Sequence, residues 1–158
     1  MSLIKALNGN TDIAHVLITV TGCQQDVHGE ENTIELFTHG RSYAKNGVHY
    51  ISYQETEVSG MEGSATLLKI YADHCVLVRT GKVRQRQEFR KGERSVSSYV
   101  TPYGALEMGV RTTGLTVSRA GQDNLITGVA IEYELEIDGQ WQSANKLTVI
   151  IQGDKNGY

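Results

Sequence analysis

From residue 129 to residue 137 the chain alternates: Val129, Ile131, Tyr133, Leu135 and Ile137 are spaced by polar or small residues, among them Glu132, Glu134 and Glu136. A period of two places apolar side chains on one face and carboxylates on the other, the pattern of a strand with one buried face. Comparable stretches predict strands near 14–22, 33–43, 48–57, 64–72, 74–79, 82–90, 94–100, 105–118, 126–137 and 141–151. Asn46-Gly47 and Thr80-Gly81 stand where tight hairpin turns are expected. Strands joined by short turns, without crossover helices, imply a meander, and a meander this long loses its edges by closing. The predicted fold is all-β, a single antiparallel up-and-down barrel of about 8–10 strands. A two-sheet sandwich is the second choice.

Register can be read at several turns. Pro102 suits the second position of a type I turn and Gly104 the fourth, so Thr101-Pro102-Tyr103-Gly104 reads as a four-residue loop. Val100 then faces Ala105, Tyr99 faces Leu106, and Ser97 faces Met108, with Met108 inside. The apolar positions are even-numbered at Leu106, Met108 and Val110 but odd at Leu115 and Val117. One residue must be absorbed between them, and Thr112-Thr113-Gly114 is the expected bulge. In the last hairpin a strict Asp138-Gly139 turn would set Ile131 against Lys146. Pairing Ile131 with Leu147 and Val129 with Val149 buries both, so an odd loop or bulge is expected there. A turn at Thr80-Gly81 sets Val78 against Val83, Val76 against Gln85 and His74 against Gln87.

Composition adds limits rather than a function. The 158 residues form one domain, with residues 1–13 read as a flexible arm and 14–158 as the barrel. A net charge of −3 gives no argument for a nucleic-acid binder. Neither a signal peptide nor a membrane span is visible, and a cytoplasmic protein is expected. Cys23 and Cys75 lack metal or redox spacing, and the five histidines are scattered. Cys75 and His74 are strand neighbours pointing to opposite faces, so they form no dyad. No catalytic motif appears, and no metal or cofactor is expected. The oligomeric expectation is monomer or homodimer.

"YAKNGVHYISYQE", "VLVRTGKVRQRQEFRKGE" and "YVTPYGALEMGVRTTGL", in that order, resemble segments of the YwiB-like family of small bacterial proteins. The resemblance runs from about residue 14 to residue 151. It implies a calycin-like barrel, related in architecture to lipocalins, in a family of unknown function. It favours closure over the sandwich and brings no catalytic residue with it.

Two surfaces are candidates for function. The face bearing His74, Gln85, Gln87 and Phe89, joined by Tyr99 and Met108, would line the barrel with apolar walls and a few polar groups, as a small-molecule site requires. The opposing reading is a filled interior in which those polar groups bond one another. On the outer face, Lys82, Arg84, Arg86, Arg90, Lys91 and Arg94 outnumber Glu88 and Glu93, a local charge of +4 against −7 for the remainder. That basic strip suggests a module for binding a protein or polyanion. Lacking interleaved aromatics, it offers no platform for bases, and nucleic acid is not expected as a partner.

Overall fold

Ten strands form, in the order that the alternation predicts. The computed structural model describes residues 13–122 and 124–153. The strands are β1 (Ala14–Asp26), β2 (Glu31–Lys45), β3 (Val48–Gln54), β4 (Ser64–Ile70), β5 (Cys75–Gly81), β6 (Gln85–Phe89), β7 (Arg94–Thr101), β8 (Gly104–Ala120), β9 (Leu125–Ile137) and β10 (Gln140–Gly153). Among the described residues the one helical turn is a 3-10 turn, Glu57–Ser59, where the sequence predicted strand to residue 57. The expected arm lies, except for Ile13, outside the described residues, as do residues 154–158 of the expected domain.

Every strand pairs antiparallel with its neighbour in sequence except at one place, and β1 pairs with β10 through eleven rungs. The single ten-stranded sheet rules out the sandwich. The remaining seam lies between β6 and β7, where the backbone makes one bridge, Arg84 with Val100, through two hydrogen bonds of 2.9 Å. Side chains seal the rest. Gln87 Nε2 donates to Ser95 Oγ (2.6 Å), Ser97 Oγ donates to Gln87 Oε1 (2.7 Å), and Gln85 Nε2 donates to Ser97 Oγ (3.1 Å). Leaving one such buried group unpaired costs about 1–3 kcal/mol, so the seam depends on the whole set being satisfied.

The registers drawn from hydrophobic matching hold. Val100 faces Ala105, Tyr99 faces Leu106 and Ser97 faces Met108. The ladder runs one rung past the expected loop, to Thr101 and Gly104, because the Thr101 hydroxyl donates to the Gly104 carbonyl and accepts from Tyr103 N. Thr113 is the bulge on β8. Ile131 faces Leu147 and Val129 faces Val149; the tight Asp138-Gly139 turn forms as well, and a bulge at Gln142 reconciles the two. Asn46 and Gly47 both take positive φ in their hairpin, and Tyr43 stacks on Tyr50 at 4.9 Å.

One register does not hold. Thr80-Gly81 is no tight turn: Gly81 stays in strand, paired with Ser64, at φ +105° with no room for a side chain against the Gly63 carbonyl. The chain then bends, and Val83 N donates to the buried Ser64 Oγ (2.9 Å). Arg79 therefore faces Gln85, and Leu77 faces Gln87. This shift of three turns Cys75, Leu77 and Arg79 inward, where His74, Val76 and Val78 were expected.

At the end holding the β2–β3, β4–β5, β6–β7 and β8–β9 connections, the interior is filled by aliphatic side chains, including Ile18, Ile51, Leu68, Ile70, Ile131 and Val149. Gly40 on β2 makes room for this packing: a Cβ there would stand 2.3 Å from Ile18 Cδ1 and 2.4 Å from the Ser52 carbonyl oxygen. A backbone atom cannot yield as a side-chain tip can. Gly40→Ala is expected to destabilise by about 1–3 kcal/mol, read as a lower urea midpoint at unchanged m-value. An unchanged midpoint would mean that β2 can move away freely.

Candidate functional site

The five connections at the other end form a mouth. Below it lies a cavity of about 350 Å³, reached by residues of nine strands and by Ser59 and Met61 of the β3–β4 connection. Its two sides differ. Val20, Leu36, Leu147, Leu135 and Val110, from β1, β2, β10, β9 and β8, make an apolar wall.

The opposite wall is polar by register. Cross-strand pairing sets Tyr53 beside Thr66, Thr66 beside Arg79, and Arg79 beside Gln85. Glu55 continues the inward alternation of Ile51 and Tyr53 past the end of β3, and its amide is held by the Ser64 carbonyl at 2.9 Å. The Glu55 side chain is 2% exposed and accepts a hydrogen bond from Thr66 Oγ1. Arg79, 17% exposed, brings Nε to 3.9 Å from Glu55 Oε2, too long for a hydrogen bond. Its Nη1 donates to Gln85 Oε1 (2.8 Å), while Gln85 Nε2 reaches Ser97 Oγ and Met108 Sδ.

Of the residues singled out from sequence, Gln85, Gln87, Phe89, Tyr99 and Met108 line the cavity. His74 does not. Turned away by the β5 register, it stacks on Tyr71 at 4.3 Å and pairs with Asp73 at 2.7 Å beyond the filled end. The two charged groups at the heart of the polar wall, Glu55 and Arg79, escaped the sequence reading. Glu55 carried a usable signal, because it shares the parity of Ile51 and Tyr53. Arg79 carried none until its face was known.

The basic strip is partly neutralised. Arg90 pairs with Asp73, Glu88 and Glu93, and Arg94 with Glu136 at 2.7 Å. Lys82, Arg84, Arg86 and Lys91 are exposed. No group of three or more metal-ligating side chains occurs among the described residues. No helix among them is long and apolar enough to cross a membrane.

Burial also sets an alkaline limit. It pushes the Cys75 thiol up to about 12, and it raises the Tyr133 phenol and, with the Glu55 carboxylate adding to it, the Tyr53 phenol. In the unfolded chain these groups ionise from about pH 9 and pH 10, while the folded barrel keeps them protonated. Their stabilisation is complete below pH 9 and is lost as pH rises toward 12. The urea midpoint is expected to fall between pH 8.5 and pH 11; equal midpoints would contradict the burial of all three.

The fold resembles that of the solved "Crystal structure of ywiB protein from Bacillus subtilis", with a TM-score of 0.77 at 20% identity, covering 95% of this chain and 99% of that one. At that identity the likeness is one of fold. The sequence is 24% identical over 125 residues, 79% of this chain and 84% of the other, to the "Uncharacterized beta-barrel protein YwiB" of Bacillus subtilis (strain 168). The resemblance read from three short segments thus extends along the barrel. Residues 18–149 match the model of the family described as Domain of unknown function (DUF1934), and the chain belongs to that family.

Proposed function

We propose that this protein is a non-enzymatic barrel that binds a small organic molecule in its interior, as calycin-like barrels of lipocalin type do. The observation that carries this is the cavity of about 350 Å³, with one apolar wall and one polar wall facing each other below the mouth. A volume above about 300 Å³ with few, convergent polar groups is what a ligand site needs. Gln87 is held by Ser95 and Ser97 and Gln85 by Arg79 and Ser97, and the cavity remains beside them. Two free cysteines, one exposed and one buried, suit a reducing compartment, and we place the binding in the cytoplasm.

Native mass spectrometry of freshly purified protein tests the reading. Retained mass beyond that of the chain is expected, and a ligand at 100 times its Kd would add about 2.7 kcal/mol of stability. Leu36→Trp, which extends the apolar wall into the cavity, is expected to abolish both effects. Chain mass alone, with a melting temperature unmoved by octanoate or octanol, would overturn the proposal.

A further inference from the structure

We infer that the ligand is a small organic monoanion, its oxyanion head held by Arg79 and its apolar body lying against Leu36, Leu135 and Leu147. This rests on the binding reading above and deepens it. Arg79 is inward-facing and mostly buried, and its one carboxylate partner, Glu55, forms an ion pair with it without a hydrogen bond. A guanidinium set to neutralise a buried acid takes it side-on, through two parallel hydrogen bonds. Here Glu55 is turned to Thr66 and stops 3.9 Å from Nε, and Nη1 is taken by the neutral amide of Gln85. Nε is buried without a hydrogen-bond partner among the described residues, and Arg79 stands in the cavity wall. Donor capacity is left over at the polar wall.

The charged lining residues are Glu55, Arg79 and Lys146. Lys146 lies on the outer face of β10, paired there with Glu132 at 4.0 Å, so inside the barrel Arg79 faces a single carboxylate, that of Glu55. A guanidinium in a site screened from water also discriminates strongly by charge, because an oxyanion accepts from it in a low dielectric. Val20, Leu36 and Val110 offer no hydrogen-bonding side chain, so the part of the ligand lying against them is hydrocarbon-like, while Gln24, Asn32 and Asn145 also border the cavity.

The test compares octanoate, octanol and octylammonium by isothermal titration calorimetry, on the native chain and on the double variant Arg79→Met with Glu55→Met. Removing both charges together avoids leaving one buried and unpaired, so the variant is expected to fold. Octanoate is expected to bind the native chain at least about tenfold more tightly than octanol, and to lose that advantage in the variant, where octanol is unchanged. If octanoate and octanol bind alike to both proteins, the head-group assignment falls and the cavity reading stands. Preference for octylammonium would overturn the assignment by sign. If none of the three binds to the native chain, the cavity reading falls with it.

Discussion

Glu55→Ala is expected to cost about 3–5 kcal/mol, because it strands a guanidinium inside the barrel. The Glu55 side chain is 2% exposed and that of Arg79 17%, so water cannot take over the charge that is removed. Thr66 loses its acceptor at the same time, adding an unsatisfied hydroxyl at a site 1% exposed. The single substitution should therefore be worse than the double one. Adding Arg79→Met to Glu55→Ala is expected to recover most of the loss, and a double-mutant cycle measures the coupling directly. Additive losses from the two changes would show that the 3.9 Å separation leaves the charges independent.

Ile131→Ala is expected to cost about 2–5 kcal/mol, with the thermal midpoint lowered by roughly 4–20 °C. Ile131 is fully buried, with Leu115 across one ladder and Leu147 across the other. It belongs to the filled end of the interior, where surrounding strands are locked by pairing on both sides and cannot collapse into the space left behind. Met108→Ala makes the contrast, since Met108 borders a cavity that already exists and is only half-buried. Calorimetry of both variants distinguishes the two ends of the barrel. Equal losses would mean that the mouth end is packed as densely as the other.

How much of this could be read beforehand depended on whether a strand has two different faces. β9 has carboxylates on one side and aliphatic residues on the other, so one register alone buries it, and both flanking ladders followed with the bulges at Thr113 and Gln142, but not the one at Thr127. β5 begins Cys75-Val76-Leu77-Val78, apolar on both sides, and hydrophobic matching cannot choose between its faces. The turn residues then decided, and they decided wrongly, because Gly81 serves a close backbone approach to Gly63 rather than a reversal. That one error hid Arg79 and put His74 in the interior. Strand-like parity also ran correctly through Glu55, but a carboxylate on a core face is rare enough to be passed over. The cavity itself follows from ten strands closing where eight would have been filled.

The eleven-rung junction of β1 with β10 has a consequence for how the chain is made. Its partners stand between 117 and 137 residues apart in sequence, whereas the hairpins join near neighbours. Closing a loop of that length costs about 2 kcal/mol more than closing one of roughly ten residues. Contacts so distant place the protein among slow folders, in the range of milliseconds to seconds. During synthesis β1 is available long before β10 exists. The meander from β1 to β9 is an open ribbon until then, and the interior becomes a compartment only when the last of the ten strands meets the first.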